Sequence, residues 1–209
     1  DGINTSTGNL TITGTDLATV AQLIKINDAT SGNVVLNPQT VATAYSDTAA
    51  NLAAAFNGIT TLTSTLTITG TTPATVAELK TINDATIGTV VLNAETITAN
   101  LNGSASDLAA AFDGINTSTG DLTITGTTPA TVAELMAINA TTSGAVILNN
   151  ATISRGYSGP ASDLSAAFDG ITTSTSTLTI TGADPATIAE LMVINAATSG
   201  TFALNAATI

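Results

Sequence analysis

The pentapeptide Leu-Thr-Ile-Thr-Gly starts at Leu10, Leu66, Leu122 and Leu178, each 56 residues after the last. A fixed period of this kind constrains a chain more than any composition does, because every unit must bury its apolar face against its neighbours. The phase is kept elsewhere. Asp1 to Gly8 recurs as Asp113 to Gly120, two periods on, and Asn205-Ala206-Ala207-Thr208-Ile209 stands in the phase of Asn149 to Ile153.

Within a unit the pattern alternates between strand and helix. Leu66-Thr67-Ile68-Thr69 alternates apolar and polar residues, the period of a half-buried strand. Thr75-Val76-Ala77-Glu78 reads as a capping box, and Thr19/Gln22, Thr131/Glu134 and Thr187/Glu190 repeat it. Val76, Leu79 and Ile82 then give a helix one narrow apolar stripe, too short to be stable alone. After the breaker Gly88 comes a second strand, Val90 to Asn93, and a connection from Ala94 to Ser104 whose residues vary most between copies. A second helix starts near Ser106 and carries Leu108, Ala111 and Phe112. Asp113-Gly114-Ile115 stops it, with Gly supplying a left-handed residue and Ile its apolar contact; Gly58 and Gly170 repeat that stop.

These signals predict an α/β repeat solenoid, with a parallel β-sheet on one side and short helices on the other. Each 56-residue unit would hold two strand–helix coils, with strands at Leu10–Thr13, Val34–Asn37, Leu66–Thr69, Val90–Asn93, Leu122–Thr125, Val146–Asn149, Leu178–Thr181 and Phe202–Asn205. The expected organisation is one solenoid over 1–209. Residues 1–9 close a preceding repeat, 10–65, 66–121 and 122–177 are full repeats, and 178–209 is a partial fourth. Four full units would need 224 residues, 15 more than the 209 present, and those 15 correspond to Ser154 to Phe168. Both ends therefore fall inside a repeat, and the pattern predicts that further polypeptide, the same chain or an identical copy, covers them.

The chain is read as non-enzymatic. It has no His and no Cys, which removes Ser–His and Cys–His nucleophiles and the imidazole and thiolate metal ligands. Fifteen acids face three basic residues (Lys25, Lys80 and Arg155) for a net charge of -12, so nucleic acid is a poor partner. Glu78, Glu134 and Glu190 recur in one phase, and a capping role explains all three. About a fifth of the chain is Thr, well above ordinary usage. Aromatic residues make up only 3%, so apolar burial must come in thin repeated layers. No stretch is long and apolar enough to span a membrane.

The segment 66–79, Leu-Thr-Ile-Thr-Gly-Thr-Thr-Pro-Ala-Thr-Val-Ala-Glu-Leu, with Ala-Ser-Asp-Leu-Ala-Ala-Ala-Phe-Asp-Gly-Ile at 105–115, resembles repeats of very large bacterial cell-surface proteins, those of cyanobacteria in particular. The similarity extends over the whole chain. It implies an extracellular or cell-surface location and a role in coats, adhesion, filaments or motility, and it brings no catalytic residues.

Three sets of residues are candidates for contact. The Thr of each first strand, Thr11/Thr13, Thr67/Thr69, Thr123/Thr125 and Thr179/Thr181, should point outward in a row. Such a row could meet polysaccharide or ice. Tyr45, Leu101 and Tyr157, one phase of the variable connection, with Arg155, could anchor a partner. Asp113 to Asp121 offers oxygen ligands for calcium but lacks EF-hand spacing, and a turn is the better reading. Asn at 27, 83, 139 and 195 and at 37, 93, 149 and 205 are read as turn formers that bond the backbone. The leading expectation is a structural repeat of an extracellular assembly, either a stalk or a self-associating filament subunit. A ligand-binding adhesin repeat is the alternative.

Overall fold

The computed structural model describes residues 6–208. They divide into two compact units, 6–98 with 113–115 and 99–112 with 116–208.

The first unit contains β1 (Leu10–Thr11), α1 (Val20–Asp28), β2 (Val34–Val35), α2 (Pro38–Ala42), β3 (Tyr45–Asp47), α3 (Ala49–Phe56), β4 (Leu66–Ile68), α4 (Val76–Ala85), β5 (Val90–Val91) and α5 (Ala94–Thr98). Its strands form two parallel sheets in the orders β1-β2 and β3-β4-β5. The second unit contains β6 (Leu101–Gly103), α6 (Ala105–Ala111), β7 (Leu122–Ile124), α7 (Val132–Thr141), β8 (Val146–Ile147), α8 (Asn150–Ser154), β9 (Tyr157–Gly159), α9 (Ala161–Phe168), β10 (Leu178–Ile180), α10 (Ile188–Ala197) and β11 (Phe202–Ala203). Here too there are two parallel sheets, β6-β7-β8 and β9-β10-β11.

All eight expected strands are present, each shorter than the sequence pattern implies. Two expectations need correction. The connection between the second strand and the second helix is not a loop: it carries the Asn-led helices α2, α5 and α8 and a third strand, β3, β6 or β9. A period therefore holds three strands and three helices, not two strand–helix coils. Nor do the strands share the one parallel sheet expected, because β3 pairs with β4 and not with β2, and β9 with β10 and not with β8. The physical reason is crossover length. A parallel neighbour needs a return of a dozen or more residues, and the stretch between Val35 and Tyr45, filled by α2, is too short for one.

Local chemistry sets the helices. Thr19, Thr75, Thr131 and Thr187 each accept the N–H of the residue three places on, and the side chain of that residue (Gln22, Glu78, Glu134 or Glu190) accepts the Thr N–H in return. Ser104 and Thr48 cap α6 and α3 with their hydroxyls. Gly58, Gly114 and Gly170 end the second helices at φ of 74°, 70° and 69°, as the sequence predicts.

The core is a layer between sheet and helices. Leu66 pairs in register with Tyr45 and Val90, and all three are buried. Leu52, Phe56, Leu79 and Ile82 cover them from the helices, and Leu164, Phe168, Leu135, Ile138 and Ile194 are the buried counterparts in the second unit. Four isolated parallel bridges lie beside this layer, including Leu62↔Thr86 and Ser174↔Thr198.

Candidate functional site

The third strand decides the fate of the connection residues. Tyr45 pairs opposite Leu66 and Tyr157 opposite Leu178, so both rings turn into the core, where they are 6% and 4% exposed. Each ring meets the Phe of the following helix edge-on, Phe56 at 5.2 Å and Phe168 at 5.3 Å between centroids. The Tyr45 hydroxyl donates to the carbonyl of Ala18 at 2.9 Å, and that of Tyr157 to Ala130 at 3.0 Å. Burial pushes both phenols above their ordinary ionisation range. Hydrogen bonding with Thr40 opposes this at Tyr45, and at Tyr157 Thr152 and the Arg155 charge oppose it.

These tyrosines, offered by the sequence as partner contacts, lie in the core. Leu101 holds the same register opposite Leu122 and is half-buried. Arg155 alone of the four is exposed, its guanidinium carbon 5.4 Å from the Tyr157 ring centroid.

Thr13, Thr69, Thr125 and Thr181 are exposed, as is Thr11, whereas Thr67, Thr123 and Thr179 are half-buried. Each sheet holds one Leu-Thr-Ile strand or its Leu-Thr counterpart. Thr67 therefore lies between Ser46 and Val91, Thr123 between Asn102 and Ile147, and Thr179 between Ser158 and Ala203. The outward rank is a mixture of hydroxyls, one amide and apolar side chains, with Thr one strand wide in each sheet.

The recurring asparagines are clamps. Asn37 donates to the carbonyls of Gly14 and Asp16 at 3.2 and 2.8 Å, while its own oxygen accepts the Thr40 N–H at 2.9 Å and so caps α2. Asn93 repeats this on Gly70, Thr72 and Thr96, Asn149 on Gly126, Thr128 and Thr152, and Asn205 on Gly182, Asp184 and Thr208. The Thr reached by each clamp acts in turn. Thr40, Thr96, Thr152 and Thr208 accept the N–H groups of Ala18, Ala74, Ala130 and Ala186. A second set, Asn27 and Asn139, donates to the carbonyls at the ends of α3 and α9, two each at 3.0 Å. Asn83 reaches the carbonyl of Asp113 in the same way.

In the segment that offers calcium-type oxygen ligands, the Asp121 carboxylate accepts the N–H of Ala145 at 2.9 Å. Asn9, two periods earlier, does the same for Asn33 at 3.0 Å. Among the described residues no group of three His, Cys, Asp or Glu is placed to hold a metal. Glu78, Glu134 and Glu190 are capping partners, and the Thr187 backbone and hydroxyl together hold the Glu190 carboxyl below its ordinary value.

Two concavities lie in the first unit. A polar cleft of about 590 Å³ is lined by Asn27, Ser31, Asn33, Ala54 and Asn57 among others, and the Asn27 amide already donates to the Asn57 carbonyl within it. A more apolar groove of about 340 Å³ is formed by Ile12, Leu17, Ala18, Lys25 and Ile26 with their neighbours. Sequence carries no signal for it: Ile12 and Ile26 match their 56-residue equivalents in residue type, and only their burial differs. No protein-family model, curated protein sequence or solved structure matches the chain.

Proposed function

We propose that the chain is a structural tandem-repeat segment of an extracellular surface protein or filament. Its strand–helix pairs would stack as an α/β solenoid, and it would associate with further repeats or identical copies of itself. One observation carries this reading: the Asn residues that recur with the period, and the Thr three places after each clamp, are consumed in holding one coil to the next. Asn37 and its three equivalents each bond backbone of an earlier coil, the Thr three places on bonds the same stretch two residues further along, and the capping Glu residues bond their own helices. An enzyme concentrates unusual side chains in one place, whereas ordinary side chains are distributed here at a fixed interval. Location outside the cell is proposed on the resemblance and on the Cys-free, acidic, Thr-rich composition. Among the described residues no helix is long and apolar enough to cross a membrane.

Sedimentation of the purified chain over a wide concentration range, followed by electron microscopy of the concentrated sample, tests the proposal. Assembly that grows with concentration and shows a regular axial repeat is expected. A single monomeric species at every concentration overturns the self-associating reading.

A further inference from the structure

We infer that the polar cleft of the first unit is a binding site for neutral carbohydrate, taking a short run of pyranose rings from a glycan chain. Binding there needs no self-association of the chain and goes beyond that reading.

The cleft is bounded by residues from the end of α1 and the loop after it, from the end of α3, and by Thr81 of α4. Its volume of about 590 Å³ lies within the range of small-molecule sites. Part of the lining is spent on the fold. Asn27 donates to the Ala54 and Asn57 carbonyls at 3.0 Å each, which ties α1 to the end of α3. The Thr30 hydroxyl donates to the Gly8 carbonyl at 2.6 Å and accepts the Gly32 N–H at 2.9 Å. The remaining polar side chains are not spent. Among the described residues none bonds the side chains of Asp28, Ser31, Asn33 or Asn57.

Those four side chains define the ligand. Each amide offers two donors and a carbonyl acceptor, the hydroxyl does both, and the carboxylate only accepts. Sugar hydroxyls, which donate and accept in turn, match such a mixture. The lining holds no cation, and its one charge is the Asp28 carboxylate, so an anionic ligand meets repulsion alone. One carboxylate is also too little for a hard cation such as calcium, which takes roughly six to eight oxygens, several of them from carboxylates. Hydroxyls on adjacent sugar carbons can instead donate to Asp28 in charge-assisted bonds. Val34, Ala53 and Ala54 are the apolar part of the lining, small enough to leave room for the C–H face of a ring.

The period supplies an internal control. Asn27, which the fold uses, is Asn in every copy, at 83, 139 and 195. Two of the unspent residues change instead. Asn33 stands in the phase of Thr89, Ala145 and Thr201, and Asn57 in the phase of Asp113 and Asp169. The third repeat also has Ala140 in the phase of Asp28. The two unspent amides therefore belong to this cleft and to no other copy, as a recognition role requires and a structural role does not.

Saturation-transfer difference NMR of the full chain tests the site, with maltotriose, cellotriose and mannotriose as separate probes. The method reads weak binding and works on an assembled chain as well as on a monomer. Dose-dependent, saturating transfer to at least one trisaccharide is expected, weakened roughly fivefold or more by Asn33→Ala/Asn57→Asp, which removes both free amides. Each substitution installs the residue that the third repeat carries in that phase, so the variant should keep its melting temperature. Should the double variant unfold, Asn57→Asp alone is the comparison, and it too should weaken transfer. Absence of transfer to all three sugars, or equal transfer with the variant, overturns the proposal. So does transfer abolished by EDTA, which would assign the cleft to a cation.

Discussion

The Tyr157 hydroxyl and the Ala130 carbonyl meet at 3.0 Å across 27 residues of chain, and Ala130 is buried. Removing the hydroxyl by Tyr157→Phe leaves that carbonyl without this donor in a dry layer and keeps the ring contact with Phe168. A loss of about 1–2 kcal/mol is expected, measured by urea denaturation.

Alkaline pH should act through the same two phenols. Burial raises both above the ordinary value of 10.0, so the unfolded chain ionises first. The stabilisation is complete below that pH and is lost as pH rises through the folded-state value. Melting temperature should fall above it, and the fall should be shallower in a Tyr45→Phe/Tyr157→Phe double variant, while absorbance titration of the native chain shows delayed phenolate formation.

Asn93→Asp is expected to cost more than its near-identical shape suggests. The amide donates to Gly70 and Thr72 at 3.0 Å each, and a carboxylate can donate to neither. Thermal and chemical denaturation should show a loss of about 2–4 kcal/mol, larger than for Asn93→Ala because a carboxylate also repels the two carbonyls it faces.

Two glycines separate two kinds of backbone constraint. Gly114 has φ of 70°, and a Cβ added there would have no atom within 4 Å, so Gly114→Val should cost about 1–2 kcal/mol from conformation alone. At Gly88 a Cβ would collide with the Ser64 carbonyl of the adjacent coil. Gly88→Ala should therefore destabilise more than Gly114→Ala, and hydrogen exchange should show the extra opening around residues 62–64 and 86–88.

Thr131→Ala removes one half of a capping box and should destabilise α7 by about 1 kcal/mol. Circular dichroism during denaturation is the check, and Thr131→Ser should restore most of the loss.

Much of this architecture is written locally and can be read from the chain. Leu66-Thr67-Ile68 carries its own period, Thr75 and Glu78 carry their own cap, and Asp113-Gly114-Ile115 its own stop. The third strand is different. Tyr45-Ser46-Asp47, Leu101-Asn102-Gly103 and Tyr157-Ser158-Gly159 are three residues long and share no β-forming composition, so only pairing with a Leu-Thr-Ile neighbour makes them strands. A surface position for Tyr45 and Tyr157 follows from missing that strand, because a ring on an unrecognised strand has no assigned face. Gly70 and Gly126, at φ of 89° and 85°, are hidden for a related reason. Each ends a strand with no stop signal of the kind that marks a helix end. The apolar groove is illegible in sequence, since Ile12 and Ile26 match their copies in residue type and differ only in burial.

The side-chain clamps span 21 to 30 residues wherever they occur, from Asn93 on Thr72 to Asn139 on Asp169. Closing a loop costs entropy that rises with its length, and these loops have one length however many repeats a chain strings together. Mean sequence separation between partners is then a property of the coil and not of the polypeptide, so relative contact order falls as repeats are added. A longer array of this sequence should fold no more slowly per repeat than a short one, with ordering that starts in any coil and spreads to its neighbours.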